Sequence, residues 1–382
     1  MTPDLHKKLT DWRRHLHANP ELSLQEKATS AFVQQKLIEL GIPFTAGIGG
    51  HGVVATLSRG AAEGRVGLRA DMDALPIAET NGLSYASRNQ GVMHACGHDG
   101  HTVSLLGAAA LLAADTSWSG TIDLVFQPAE EGFGGARAMI ADGLFDRFPM
   151  TRIFGFHNWP GLEAGSVAVH DGVVMASGGR VTLTIDGHAG HAGMPHLTRD
   201  PMVAAGHLIV ALQSIVSRNI DPLETGVLSL CTIHGGTAPN QIASQVVIRG
   251  TLRNHQRAVR DTIVGGIERI CAGVATAFNV KVTPEITVGL NPLVNAPAEA
   301  SLARLAAEKA KLPLRGDLAP SMAGEDFTFY LDHRPGAFVW IGNGELREGA
   351  ELHGPMYDFN DAILPAASHW MAEVAKVALA QN

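Results

Sequence analysis

The amino-acid sequence predicts an α/β protein in which a mostly parallel sheet, with helices on both faces, is interrupted by a smaller inserted domain. The 382 residues, 46% of them hydrophobic, exceed what one ordinary core requires. Strand-like apolar runs alternate with helical runs over 1–177 and 291–382, which is typical of a parallel sheet covered on both faces. Residues 178–290 instead follow the order strand, helix, strand, strand, helix, strand. That order is the ferredoxin-like βαββαβ arrangement, which is a complete small domain in itself.

The elements of the larger domain are predicted from their apolar spacing. Helical spacing covers 4–17, 26–40, 102–114, 299–311 and 362–380. Strand patterns occur in 52–58, 64–75, 120–131, 152–160 and 336–344. Of these, 64–75 ends in an acidic loop, 120–131 runs into two adjacent glutamates, and 336–344 is a strand and loop. Parallel sheets of this kind bind ligands at the carboxyl ends of their strands, and the acidic and histidine motifs of this sequence follow those ends.

Charge and cysteine content exclude several classes of protein. The formal net charge of −8 is not set against any strongly basic stretch, so nucleic acid is not an expected partner. The N-terminal stretch lacks the uncharged apolar run of a signal peptide, and later apolar segments are broken by charge, Gly or Pro, so a membrane is not expected either. Three cysteines, Cys96, Cys231 and Cys271, show no disulfide-framework spacing. We therefore expect a cytoplasmic protein.

The octet HACGHDGH, residues 94–101, predicts a metal site. Cys96 and His98 are one residue apart, so on a tightly turned segment both side chains can face one point, with Asp99 and His101 in support. One alternative is a glycine-containing loop of hydrogen-bonded histidines. Another is a thiol nucleophile at Cys96, which leaves the glutamates and histidines of other segments without a role.

Further donors follow other strands of the predicted sheet. Glu130 and Glu131 in QPAEEG come directly after the apolar strand IDLVF. Adjacent carboxylates are often only a solvated pair, but at a sheet edge one can bind metal while the other acts as a general base. His157 in GFHNWP and His353 in ELHGPMYDF are each, taken alone, more often structural. With the Cys-x-His pair and Glu131 they make five donors, which suit two divalent ions such as Zn, Mn, Co or Ni.

Nine segments stand in an order that resembles a known family. They are RRHLHANPELSLQE, LRADMDALPI, HACGHDGHT, FQPAEEG, GFHNWP, GHAGHAGMPH, GGTAPNQIA, MAGEDF and LHGPMYDFND. Together they resemble the amidohydrolase branch of the M20 metallopeptidase family, which contains hippurate hydrolases, N-acyl-amino-acid deacylases and plant auxin-conjugate hydrolases. The resemblance runs from about residue 12 to residue 361. One segment departs from it, because GGTAPNQIA has Gln and Ala where relatives commonly have Val and Pro.

The resemblance implies a role for each motif. Two metal ions would be held by Cys96, His98, Glu131, His157 and His353. Glu130 would be the general base. Residues 178–290 would form a lid and dimerisation domain, from which His191 would reach the active site of the partner subunit to stabilise the oxyanion. Asn240 and Arg253 match positions that hold the reacting carbonyl or the substrate carboxylate.

Three aspartates are expected to orient the metal ligands rather than to bind metal. In most M20 peptidases the segment that matches ADMD supplies a metal-binding histidine. Here Asp71 stands in that place, and His98 supplies the nitrogen instead. We therefore expect Asp71, Asp73 and Asp99 to support the ligands.

The expected activity is metal-dependent hydrolysis of the amide bond of an N-acyl amino acid by a homodimer or higher homo-oligomer. A dipeptidase or carboxypeptidase of the same family is the first alternative. A catalytically silent ligand-binding dimer with the same fold is the second. The presence of Glu130 and of all five donors argues against a catalytically silent protein.

Overall fold

The protein forms two compact units in a computed structural model that describes residues 1–132 and 134–381. The first unit contains Met1–Val174, Val294–Ala319 and Asp326–Asn382. The second unit contains Met175–Leu293 and Pro320–Glu325. The second unit is therefore inserted, in sequence, into the first.

Helices and strands alternate through the first unit as the sequence predicts. The α-helices of the described chain are α1 (Pro3–Ala18), α2 (Lys27–Glu39), α3 (His98–Ala114), α4 (Gly135–Ala141), α5 (Leu144–Arg147), α6 (Pro201–Asn219), α7 (Arg257–Phe278), α8 (Pro297–Lys309), α9 (Thr328–Leu331) and α10 (Leu364–Leu379). Short 3-10 helices cover Pro195–Leu197 and Asp361–Ile363. The strands are β1 (Phe44–Ile48), β2 (Gly52–Arg59), β3 (Arg65–Asp71), β4 (Gly120–Gln127), β5 (Arg152–Pro160), β6 (Val167–Ala168), β7 (Val173–Met175), β8 (Ser177–Asp186), β9 (Gly190–His191), β10 (Gly226–Gly235), β11 (Gln241–Ile242), β12 (Gln245–Asn254), β13 (Lys281–Leu290), β14 (Leu293–Val294), β15 (Leu314–Arg315) and β16 (Gly336–Gly344).

The sheet of the first unit has eight strands in the order β1-β2-β4-β3-β5-β16-β6-β15. Its centre, from β4 through β3 and β5 to β16, is parallel. Antiparallel pairs lie toward both edges, between β1 and β2, β2 and β4, and β16 and β6. The central strands are buried on both faces, with Leu68, Leu124 and Val339 fully enclosed. This confirms the prediction of a mainly parallel central sheet covered by helices.

The ends of two elements shape the site, and one of them differs from the prediction by a full helical turn. Strand β3 gives way to the predicted acidic loop after Asp71, and Ala74 and Leu75 form isolated bridges to Leu22 and Met93. Helix α3 begins at His98, one turn before the predicted start at residue 102. The first turn of α3 therefore carries one of the predicted metal ligands.

The second unit has a four-stranded antiparallel sheet in the order β10-β12-β8-β13. Helices α6 and α7 contribute to its core, in which Leu208 and Ile263 are buried together with Leu183 and Ile248 of the sheet. Among the described helices, α6 is the one with the length and composition to cross a membrane. Its buried residues belong to this core, which accounts for part of its apolar character.

Candidate metal centre

The five predicted metal donors come together in the first unit. Their donor atoms form two overlapping groups in which all atoms lie within 4.8 Å of one another. One group is Cys96, His98 and His157, and the other is Cys96, Glu131 and His353. The thiol of Cys96 belongs to both groups, so the site has the arrangement expected for two ions that share one sulfur ligand.

The glycine between Cys96 and His98 is required by close packing. Gly97 has a left-handed backbone with φ 92° and lies at the N-terminal end of α3. A Cβ atom at this position would overlap the side-chain oxygen of Asn158. Asn158 in turn donates a hydrogen bond to the Cys96 carbonyl at 3.3 Å and accepts one from the Tyr357 hydroxyl at 2.6 Å. The CGH turn is therefore packed directly against the end of β5.

Two of the histidines are oriented so that one ring nitrogen remains free. The Nδ1 atom of His98 lies 3.2 Å from Asp73 Oδ1, and the Nδ1 atom of His157 lies 2.7 Å from the carbonyl oxygen of Asn158. Both contacts require Nδ1 to donate, which leaves the Nε2 lone pair of each ring for another partner. His157 Nε2 is 3.3 Å from the sulfur of Cys96. Asp73 thus contacts the ligand that the sequence expected it to orient.

His101 belongs to a different network and has no free nitrogen. Its Nδ1 lies 2.6 Å from Asp71 Oδ1, and its Nε2 accepts the backbone N–H of Asn158 at 3.1 Å. Asp71 also accepts a hydrogen bond from Arg69 at 2.8 Å and lies 3.7 Å from His98 Nε2. Both ring nitrogens of His101 therefore have a hydrogen-bond partner, and its ring also lies with Asp71 and His98 in a third group of atoms close enough together to hold an ion.

The two glutamates follow β4 and are held from several sides. The backbone N–H of Glu131 donates to Asp73 Oδ2 at 3.0 Å, and the N–H of Asp326 donates to Glu130 Oε1 at 3.2 Å. The Asp326 carboxylate accepts hydrogen bonds from Arg69 at 3.0 Å and from Gln127 at 2.8 Å. Glu130 and Glu131 both lie near His98, with carboxylate oxygens within 4.8 Å of its ring nitrogen.

Buried acidic groups control the electrostatics of this centre. Burial alone would lower the pKa of His98, but the carboxylates of Asp71, Asp73 and Glu131 outweigh burial and raise it to about 10. Burial, together with the Glu131 carboxylate, raises the pKa of the Cys96 thiol well above its ordinary value. Burial lowers the pKa of His157. A protein that collects negative groups this closely needs a compensating positive charge.

These residues fit divalent metal ions. His98 Nε2 and Glu131 Oε1 are buried, lie 4.0 Å apart, and make no hydrogen bond with any residue that the structure describes. The Nε2 atom of His353 lies 3.2 Å from the same glutamate oxygen. A thiol, three imidazoles and a carboxylate are the donor set of borderline divalent ions. A divalent cation would supply the partner that the two buried atoms lack.

Asp99 lies behind the donor cluster. Its Oδ2 is 2.8 Å from His17 Nδ1 and 3.7 Å from Arg13, and its Oδ1 accepts the N–H of Gly100 at 2.9 Å. Arg13 also donates to Asp358 at 2.8 Å, on the segment that follows His353. Asp99 therefore holds the start of α3 in place, and these contacts go to His17, Gly100 and Arg13 rather than to a predicted ligand.

The remaining predicted residues lie in the second unit. Strands β9 and β11 pair with His191 opposite Gln241, and the Ala192 N–H donates to the Asn240 carbonyl at 3.0 Å, so His191 and Asn240 are neighbours. Arg253 lies near the far end of β12 and donates to the Leu252 carbonyl at 2.9 Å. The eight residue steps along β12 from Gln245 to Arg253 span about 26 Å.

Sequence reasoning missed the residues that support the donors. Arg69 and Gln127 lie within predicted strands and resemble ordinary strand residues, although they hold Asp326 beside Glu130. Ser23 and Glu26 contact Asp73 and Ala129, and the NPELSLQE segment that contains them was the one available signal.

Comparisons with known proteins identify the family of this chain and several similar proteins. The family model described as Peptidase family M20/M25/M40 matches residues 67–377. An N-acetyl-L-cysteine deacetylase from Bacillus subtilis is 42% identical over 380 residues, which cover 99% of this chain and 90% of that protein. A hippurate hydrolase from Campylobacter jejuni is 39% identical over 378 residues, which cover 97% of each. A solved Bacillus subtilis structure, described as a dinuclear metal binding peptidase from the M20 family, matches with a TM-score of 0.89 and 32% identity over 100% of both chains.

Proposed function

The chain belongs to peptidase family M20/M25/M40, and we propose that it hydrolyses the amide bond of N-acyl amino acids with two divalent metal ions, releasing a carboxylic acid and a free amino acid. The observation that carries this conclusion is the pair of donor groups that share Cys96, with a second glutamate beside them. Curated relatives of nearly the same length are named as a deacetylase of an N-acetyl amino acid and as a hippurate hydrolase.

The metal ions would be held by Cys96, His98, Glu131, His157 and His353. When bound, such ions supply Lewis acidity and make a water acidic enough to act as a nucleophile at neutral pH. The contacts of Asp73 with His98, and of Asn158 with His157, hold Nδ1 of each ring and so orient Nε2 toward the donor cluster. We leave the ion as Zn, Mn, Co or Ni, because these ions compete for the same donors.

Glu130 is the proton carrier of the reaction. Its Oε1 is held by the Asp326 N–H, so its carboxylate keeps a fixed position beside the donor cluster. It accepts a proton from the water that attacks the amide carbonyl, and it returns a proton to the amine nitrogen when the C–N bond breaks. The products are then balanced as one acid and one amine.

We further propose that the active site is completed by a partner subunit. His191 stabilises the oxyanion of the partner's substrate, Asn240 assists it, and Arg253 binds the carboxylate of the amino acid. The exposed positions of His191 and Asn240 support this division, because both side chains can be reached from outside their own chain. In this proposal residues 178–290 are a ferredoxin-like lid and dimerisation domain, and residues 1–177 with 291–382 are the catalytic domain.

Two other features complete the proposed setting. Cys96, Cys231 and Cys271 are all free thiols, which supports a reducing compartment such as the cytoplasm. A thiol nucleophile at Cys96 is disfavoured, because burial raises the pKa of its thiol and a nucleophile needs the thiolate.

A peptidase activity is the second candidate, because the solved relative at 32% identity is described as a peptidase. One experiment separates the two activities. Release of free amino acid is measured from a panel of N-acyl amino acids and dipeptides, before chelation, after chelation, and after adding back Mn, Zn, Co or Ni. We expect metal-restored cleavage of acyl conjugates. Cleavage mainly of dipeptides assigns the peptidase activity, and no metal-dependent turnover refutes both.

A further inference from the structure

Glu26 is a fully buried carboxylate that the proposed reaction does not use. It ends the NPELSLQE segment, and its Oε1 accepts two backbone hydrogen bonds, from the N–H of Leu24 at 3.0 Å and from the N–H of Ala129 at 2.8 Å. Ala129 is the residue directly before Glu130 and Glu131. A residue from the start of the chain therefore holds the turn that carries both glutamates.

The turn held by Glu26 has an unfavourable backbone. Ala129 has φ 54° and Leu24 has φ 68°, and both belong to the five non-glycine residues with positive φ in the described chain. A left-handed residue with a side chain is strained and persists only where its surroundings hold it. Glu26 supplies part of that restraint at both positions with one oxygen atom, and the Gly135 N–H holds the Ala129 carbonyl at 2.9 Å. The Glu26 contact therefore holds the amide of the residue from which both glutamate side chains follow.

Ser23, three residues earlier, acts on the same pair of glutamates from the other side. Its hydroxyl donates to Asp73 Oδ2 at 2.6 Å, and the same oxygen accepts the N–H of Glu131 at 3.0 Å. The backbone of this segment is fixed as well, because the Ala74 N–H donates to the Glu21 carbonyl at 2.8 Å. Residues 23–26 thus act on the glutamate turn directly at the Ala129 amide, through Glu26, and indirectly at the Glu131 amide, through Asp73.

We infer that Glu26 and Ser23 are positioning residues that set the placement of Glu130 and Glu131. Glu26 fixes the left-handed turn at Ala129, and Ser23 fixes the Asp73 carboxylate that receives Glu131. Neither residue contacts substrate. The inference rests on the proposed function only for its effect on turnover, since the effect on the backbone exists without metal or substrate.

The test compares two substitutions of Glu26 with a matched control. Glu26→Met keeps the length but removes the acceptor, and we expect kcat to fall about 10- to 100-fold with KM nearly unchanged. Glu26→Gln keeps an acceptor oxygen and should retain most of the turnover. The control is Glu21→Met in the same segment, because Glu21 accepts the N–H groups of Ala28 and Thr29 at the start of α2 and not those of the glutamate turn. It should lower the melting temperature and leave kcat unchanged.

A second readout does not depend on activity. Hydrogen–deuterium exchange of the peptide covering residues 125–132 is measured in the metal-free protein, and we expect faster exchange in Glu26→Met than in the wild type or in Glu26→Gln. Adding Ala129→Gly to Glu26→Met should recover part of the lost kcat, since glycine adopts the left-handed backbone without the restraint. If the double variant loses as much kcat as the two single variants combined, the assigned route through Ala129 is overturned.

The remaining outcomes also decide the inference. Wild-type kcat and exchange in Glu26→Met would overturn it, and so would an equal loss of kcat in Glu21→Met. If Glu26→Met fails to fold, Ser23→Ala replaces it, with an expected loss of kcat of about tenfold and faster exchange of the same peptide. An unchanged Ser23→Ala would then overturn the inference. If the wild type hydrolyses none of the panel, the proposed function fails while the exchange measurement still decides the positioning role.

Discussion

The predicted functional residues of the two units differ in how completely one chain assembles them. In the first unit, donors from four separate chain segments lie within a few ångströms, and most of them are buried. In the second unit, His191 and Asn240 are exposed neighbours, whereas Arg253 is half-buried on β12 and bonds to Thr251 and Leu252. Folding of one chain brings the first set of residues to one point, but the second set shows no such shared contact among the described residues.

This contrast separates two kinds of sequence signal. A metal centre needs all its donors around one point, so its motifs must converge within one folded unit. Groups that contact a substrate can be supplied by different subunits. Equally clear motifs for such groups therefore need not converge within one folded unit. Three experiments test the contrast, in order of decreasing effect.

The largest effect is expected at the glutamate pair. Glu130→Gln should lower kcat about 1,000-fold while both metal ions remain bound, because the amide keeps an acceptor for the Asp326 N–H but cannot carry a proton. Glu131→Gln is the matched variant and should lose metal as well as turnover. Steady-state kinetics and metal content after dialysis are measured on both. Equal loss of metal in Glu130→Gln would refute the assignment.

A smaller loss of kcat is expected on substitution of His191, and mixed dimers can show which subunit's active site His191 serves. His191→Ala should lower kcat about 100-fold with metal content unchanged, since one oxyanion donor is removed. Mixing it with Glu130→Gln under conditions of subunit exchange should restore about a quarter of the wild-type turnover, because a random mixture contains half heterodimers with one intact site each. Each variant mixed with itself is the control. Absence of recovery in confirmed heterodimers would place His191 in the site of its own chain or outside any site.

The smallest effect concerns the stability of the first unit. Burial would lower the pKa of His17, but its hydrogen bonds to Asp99 and Glu79 raise it to about 9. The protonated form is therefore stabilised by folding, and this contribution, about 3 kcal/mol at most, is complete below pH 6.5 and is lost as the pH rises through 9.

Urea unfolding of the metal-free protein between pH 6.5 and 9 measures this contribution. The free energy of unfolding should fall over that range in the wild type, and His17→Gln should flatten the decline. His15→Gln, an exposed position in the same helix, is the control and should keep it. A decline of equal size in both variants would show that another group is responsible.

Much of the fold could be predicted because its elements follow strong local patterns. The bounds of β5 match the predicted range, and its apolar run lies between Arg152 and Pro160. The prediction that differed, at the start of α3, falls where a tertiary contact replaces periodicity. Gly97 packs against Asn158 there.

The residues of the site also fall into two groups, those predictable from local sequence and those whose role depends on a distant partner. The donors were predictable because cysteine, histidine and paired carboxylates at strand ends have a recognisable chemistry. Their supports were not, because Arg69 and Asp326 are 257 residues apart and Glu26 and Ala129 are 103 residues apart. Neither member of such a pair looks unusual until folding brings it to the other.

The place of β16 in the sheet determines which unit of the chain is complete first during synthesis. It is the last strand of the chain, yet it lies inside the sheet between β5 and β6. A nascent chain therefore exposes the second unit in full before the first unit can close around its missing strand. Because domains generally fold as units, the second unit can fold while the first still lacks a central strand. The donor set is likewise incomplete until His353, which follows β16 in sequence, has been synthesised.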